Sequence, residues 1–164
     1  MSPQEPTRIL FVCLGNIVRS PLAENLFRHL AEEAGLGDKY VVESAGTAAY
    51  HVGDQPDRRM RQVAAQRGLE YTGSGRQVRP DDFHEFDLVV PMDGSNYADL
   101  MAIAPPAAKD KIRLMREFDP EAADDKDVPD PYYGGIEGFE HVYDLVERSS
   151  RELLRRLEAG EVGA

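Results

Sequence analysis

Between Arg8 and Ala34 the chain passes from a continuous apolar run straight into a helical repeat, and that join leaves few folds open. Arg8-Ile9-Leu10-Phe11-Val12 is rich in strand formers, and a strand apolar at successive positions suits a sheet covered on both faces. From Pro21 onward Leu22, Leu26 and Leu30, with Ala23, Phe27 and Ala34, recur at helical spacing and share one face. Ser20 is expected as the N-cap, Pro21 as the first helical residue and Gly35 as the stop.

The alternation continues. Tyr40 to Ser44 reads as a strand, Asp57 to Arg67 as a helix, Leu88 to Pro91 as a strand and Ser95 to Ile103 as a helix. Ile112 to Met115 reads as a fourth strand, and Gly138 to Leu157 as a long helix with Phe139, Val142, Val146, Leu153 and Leu157 on one face. The pattern predicts an α/β fold: one domain over residues 1–164 with residues 1–6 as a flexible tail, and a four-stranded parallel sheet with helices on both faces. Ligands of such folds bind beyond the carboxyl ends of the strands. Two stretches, Gly46 to Pro56 and Glu117 to Gly135, read as long loops, and loops of that length usually serve as walls or lids of a site.

Composition narrows the partners. With 41% hydrophobic and 30% charged residues the chain has the make-up of a soluble globular protein, and no apolar run reaches the ~20 residues that span a bilayer. No membrane partner is expected. The N-terminal segment lacks the basic and apolar regions of a signal peptide, so the expected location is cytoplasmic. A net charge of -11 argues against nucleic acid as a partner, because phosphate backbones are bound by an excess of Lys and Arg. Any anion site must therefore be local. The sole cysteine, Cys13, excludes an intramolecular disulfide and a multi-cysteine zinc site.

That cysteine opens the segment Cys13-Leu14-Gly15-Asn16-Ile17-Val18-Arg19-Ser20, between the first strand and the first helix. Backbone N–H groups and a helix dipole make this join an anion site, a natural phosphate-binding loop. The same positive field, with Arg19, favours the thiolate of Cys13, the nucleophilic form. Gly15 and Asn16 tolerate the positive backbone angles of a tight cradle. Arg19 offers a planar fork that holds two phosphoryl oxygens and follows them as charge spreads in the transition state.

Cleavage of a phosphate ester also needs an acid for the departing oxygen. The acidic loop from Asp119 to Asp130 supplies candidates. Asp130 is chosen, because in Val-Pro-Asp-Pro-Tyr-Tyr-Gly-Gly two prolines stiffen its backbone and Tyr132 and Tyr133 follow as walls for a ring-shaped substrate. Asp119, also followed by Pro, is the competing aspartate.

With these residues in view, the chain resembles the low-molecular-weight protein tyrosine phosphatases. The likeness rests on C-x5-R-S near the N-terminus and D-P-Y-Y near the C-terminus, with Ser44-Ala45-Gly46-Thr47, Tyr50-His51-Val52-Gly53, Arg76-Gln77 and Met92-Asp93 in order between them. The resemblance implies that Cys13 attacks phosphorus and that Arg19 and the amides of Leu14, Gly15, Asn16, Ile17 and Val18 bind the phosphoryl oxygens. Ser20 would stabilise the thiolate, Asn16 and Ser44 would hold the loop, and Tyr50 would stand at the cleft rim. Asp130 would protonate the leaving phenol and then activate water. The implied partners are phosphotyrosine-containing proteins or peptides, inorganic phosphate is the product, and no cofactor or metal is implied. Val18 stands where the family often carries a second cysteine, and Tyr50 where a Trp is frequent.

Other candidates have plainer readings. His29, His51, His84 and His141 are scattered without ligand-like spacing, and Arg58, Arg59 and Arg61 read as a solvated helix face. Two rival activities share the expected fold. A thiol-relay arsenate reductase needs further cysteines, and a single-cysteine version would leave Asp130 without purpose. Phosphoarginine phosphatases resemble this loop but carry Thr where this chain has Ile17, and a shorter aromatic segment after the acid.

Overall fold

The computed structural model describes residues 5–15, 18–48, 53–73, 75–131 and 135–162. Three strands form one parallel sheet: β1 (Thr7–Cys13), β2 (Tyr40–Gly46) and β3 (Leu88–Pro91), in the order β2-β1-β3. The helices are α1 (Arg19–Glu33), α2 (Arg58–Gln66), α3 (Asp82–Glu85), α4 (Gly94–Ile103) and α5 (Ile136–Glu158). The continuous apolar run of β1 is explained by its central place. Ile9, Phe11 and Cys13 face a core shared with Leu22, Leu26 and Phe27 of α1, Met60 and Val63 of α2, and Phe139 and Val142 of α5. Leu10 and Val12 face the opposite core, with Phe83 of α3 and Leu100 of α4. Each large apolar side chain buried this way contributes about 1.5–3 kcal/mol, so both faces hold β1 firmly.

The fourth strand is a correction. Ile112 makes one parallel bridge to Val89, and the N–H of Arg113 donates to the Val89 carbonyl at 3.0 Å. There the pairing stops, because the Glu117 carboxylate takes the N–H of Leu114 at 3.0 Å and Nε of Arg113 at 2.7 Å. The chain turns into a 3-10 helix, Met115–Phe118, whose Met115 and Phe118 are buried in the α1 and α5 core. Four residues with one turn-forming carboxylate close behind do not extend a ladder.

The start of α1 is a second correction. Arg19 is its first residue and Val18 its N-cap, whose own side chain makes no capping bond. Ser20 and Pro21 lie in the first turn, and Ser20 is fully buried. At the other end Gly35 has φ of 75°, the left-handed conformation that ends a helix readily in glycine. Asp57 caps α2, and its Oδ1 accepts the N–H of Arg59 at 2.8 Å. No helix among the described residues is long and apolar enough to cross a membrane.

Candidate active site

A parallel sheet brings the carboxyl ends of its strands to one edge, and here Cys13 pairs with Gly46 and Val12 with Pro91. β1 lies between its two neighbours, so the connections leave it in opposite directions and open a crevice beyond Cys13. Three segments border that crevice. The N–H groups of Thr47 and Ala48 donate to the carbonyls of Cys13 and Leu14 at 2.9 and 3.0 Å, and the N–H of Met92 donates to the Val12 carbonyl at 3.0 Å. The chain around Gln77 adds a bridge at Gly46, which gives the Arg76-Gln77 motif a structural task beside the loop. Asp82 secures it, because its carboxylate accepts from both terminal nitrogens of Arg76 at 3.0 and 3.2 Å.

Cys13 is 3% exposed, and its Sγ lies 3.0 Å from Oγ of Ser20. Ser20 can also reach the Ala45 carbonyl, at 3.4 Å. A hydroxyl has one proton, so Ser20 gives it either to the sulfur, when that is the thiolate, or to the Ala45 carbonyl while accepting from the thiol. The serine expected as a helix cap lies against Cys13 instead.

Arg19 is buried, with 3% of its surface exposed, and its Nη1 donates to Oδ2 of Asp93 at 2.6 Å and to the Val128 carbonyl at 2.9 Å. Its Nη2 lies 3.8 Å from Oδ2 of Asp130, which is exposed. The guanidinium is thus directed by one carboxylate and faces a second. Asp93 caps α4 with its other oxygen, accepting the N–H of Asn96 at 2.8 Å. Its role in holding Arg19 was missed in the sequence, although an aspartate two residues after a strand and before Gly94-Ser95 is a recognisable cap signal.

Asp119 sits elsewhere. It is buried and accepts from Nε and Nη2 of Arg148 at 2.7 and 3.0 Å, from Nε of Arg116 at 3.0 Å and from the N–H of Glu121 at 2.8 Å. Burial alone would raise its pKa, but the hydrogen bonds from Arg148, Glu121 and Arg116 outweigh that and bring it down to about 2. A carboxyl held so firmly as the anion is unsuited to giving up a proton near neutrality.

Among the remaining expected residues, Leu14 is exposed, Gly15 is half-buried and Val18 is buried. Ser44 donates to Oε1 of Glu24 on α1 at 2.7 Å, tying β2 to the helix behind the loop. Asn16, Ile17, Tyr50, His51, Tyr132 and Tyr133 lie outside the described residues. Arg59 stacks on Phe139 with its guanidinium 4.4 Å from the ring centre, and Nε of Arg61 donates to the Pro56 carbonyl at 2.9 Å, so both are occupied in packing.

A strand-loop-helix turn that sets a cysteine at the end of β1 and a buried arginine at the start of α1 defines an α/β protein with its crevice beyond the central strand. Residues 8–162 match the family described as low molecular weight phosphotyrosine protein phosphatase. The chain belongs to this family. A Synechocystis protein, itself provisionally assigned as a low molecular weight protein-tyrosine-phosphatase, is 50% identical over 92% of this chain and 96% of its own length. Among solved structures, a protein tyrosine phosphatase of Entamoeba histolytica superposes with a TM-score of 0.91 at 42% identity, covering 94% of this chain and 99% of its own. A drosophila arginine phosphatase superposes with a TM-score of 0.85 at 34% identity, covering 92% and 97%.

Proposed function

We propose that the chain is a protein-tyrosine phosphatase that hydrolyses phosphotyrosine, and small aryl phosphates, through a phosphoryl group carried on Cys13. The reading rests on one arrangement: the Cys13 sulfur 3.0 Å from a buried hydroxyl, with Arg19 next in the chain to that hydroxyl and Asp130 3.8 Å from Arg19. Nucleophile, clamp and acid then meet at one crevice. The Cys13 thiolate attacks phosphorus as the P–O bond to the phenol breaks, and Asp130 supplies the proton that the departing oxygen takes. Arg19 and the loop amides hold the equatorial oxygens as their charge spreads. Water then attacks the phosphoenzyme, its proton passes to the Asp130 carboxylate, and the P–S bond breaks to release inorganic phosphate and the thiolate. Ser20 donates to the sulfur whenever it is anionic, which favours it first as nucleophile and later as leaving group.

The substrates fitting this reading are phosphotyrosine-containing proteins or peptides in the cytoplasm. Ile17, Tyr132 and Tyr133 favour an aromatic ester over phosphoarginine, since an aryl ring needs apolar and aromatic walls. The deciding experiment is Cys13→Ser. A serine hydroxyl is not ionised near neutrality, so the variant should bind phosphate or vanadate and turn over neither phosphotyrosine nor p-nitrophenyl phosphate. Retention of more than about 5% of activity would sink the assignment of the nucleophile.

A further inference from the structure

The carbonyl of Val18, the N-cap of α1, receives two donors: the N–H of Leu22 at 3.3 Å and the phenol hydroxyl of Tyr71 at 3.2 Å. Tyr71 belongs to the segment that follows α2, and that segment is fastened to α1 through Asn25. Asn25 is 4% exposed. Its Nδ2 donates to the carbonyls of Pro21 and Thr72 at 2.8 and 3.1 Å, and its Oδ1 accepts from the N–H and hydroxyl of Thr72 at 3.1 and 3.2 Å. Both ends of the amide are used, so Tyr71 is presented to the helix start by a rigid neighbour.

A peptide unit is planar and trans, and its C=O and N–H point in opposite directions. Fixing the Val18 carbonyl along α1 and onto Tyr71 therefore fixes the N–H of Arg19 in the opposite sense, out of the helix N-terminus and toward the loop that Cys13 opens. Donation to the carbonyl also polarises the unit and strengthens its N–H as a donor. Resting on the phosphatase reading above, we propose that Tyr71 is a positioning residue for the phosphoryl site, holding the Val18–Arg19 peptide so that the Arg19 N–H is set toward the bound oxyanion. Burial, and then the charges at Cys13, Glu24 and Asp57, push the Tyr71 phenol well above its ordinary pKa. The hydroxyl stays a donor wherever the enzyme works.

Tyr71→Phe keeps the ring and removes only the hydroxyl, while the Leu22 and Asn25 contacts hold the helix start. The measurement is competitive inhibition by inorganic phosphate and by vanadate against p-nitrophenyl phosphate, with Tm beside it. Both Ki values should rise about fivefold, the worth of one hydrogen bond, with KM rising alongside and kcat changing less, because the N–H meets the oxyanion in ground and transition states alike. Leu69→Ala, in the adjoining core, should lower Tm and leave Ki unchanged. An unaltered Ki in Tyr71→Phe, whatever its Tm, overturns the proposal, as does an equal rise in Leu69→Ala, which would trace the effect to loosened packing. Failure of the catalytic reading shows separately, as turnover retained by Cys13→Ser.

Discussion

Arg19 and Asp93 form a hydrogen-bonded ion pair, with Nη1 donating to Oδ2 at 2.6 Å while Oδ1 of the same carboxylate caps α4. One aspartate so fixes the arginine against the end of a helix, and on the proposed phosphatase reading the guanidinium would meet the phosphate already aimed. Side-chain entropy that a free arginine would lose on binding is lost on folding instead.

Asp93→Asn tests this relation. Asparagine caps a helix about as well as aspartate, so Tm should change little. The charge-assisted bond to Arg19 is lost, and kcat/KM should fall about 10- to 100-fold. A fall in Tm without a fall in kcat/KM would make Asp93 a cap alone.

Asp130→Ala should lower turnover of phosphotyrosine by about 10²- to 10⁴-fold, the usual worth of a positioned acid or base. A phenolate with pKa near ~10 needs a proton to depart, whereas a nitrophenolate leaves more readily, so the loss at the cleavage step should shrink with leaving-group pKa. Single-turnover rates across substituted aryl phosphates provide the check. If Asp119→Ala gives that pattern and Asp130→Ala does not, the acid has been misassigned.

Asp119 should govern acid stability instead. Its carboxyl titrates at about 2 in the fold against an ordinary value of 3.8. A depressed value contributes stability that is fully present above about pH 4 and is lost as the pH falls toward about 2, amounting to about 2 kcal/mol. Asp119→Asn should cost about 3 kcal/mol near neutrality by removing the buried carboxylate that Arg116 and Arg148 share, and should flatten the pH dependence of unfolding across that window. Urea midpoints between pH 2 and 7 measure both effects.

Oxidation should be hard to reverse. Peroxide converts a thiolate to sulfenic acid, and with Cys13 the sole cysteine no second thiol can trap that species as an internal disulfide. Phosphate in the cradle should protect, and long exposure should give sulfinic and sulfonic species, about +32 and +48 Da, that dithiothreitol does not restore. Val18→Cys should recover much of the reversibility. Activity regained after timed peroxide treatment, with intact mass, decides the matter; full recovery without those adducts would point to another shield, such as a cyclic sulfenamide.

The β1-loop-α1 unit was legible because its signals are local. Apolar run, helical period and the Cys13-to-Arg19 spacing all lie within one stretch, and β1 ends where the loop begins whatever the rest of the chain does. The same holds for β3, whose four apolar residues match the expected strand, and for α5, where a stripe from Phe139 to Leu153 faces the core. Membership of the phosphatase family also followed from motifs in chain order, before any distance was known.

What tertiary structure decided were pairings between residues distant in the chain. Ile112-Arg113-Leu114-Met115 has the composition of a strand, but the Glu117 carboxylate takes its backbone and bends it away after one bridge. Ser20 has the residue type of a cap, yet the helix begins one residue earlier and its hydroxyl turns to Cys13. Asp119 and Asp130 both precede proline in one acidic loop, and only the fold sets two arginines around the first and leaves the second facing Arg19. Asp93 and Tyr71 reach the loop from 74 and 53 residues away in their bonds to Arg19 and Val18. Hydrophobic periodicity fixes which face of an element is buried, but not which polar atoms meet where three elements converge, because those meetings depend on the path of the connections between strands.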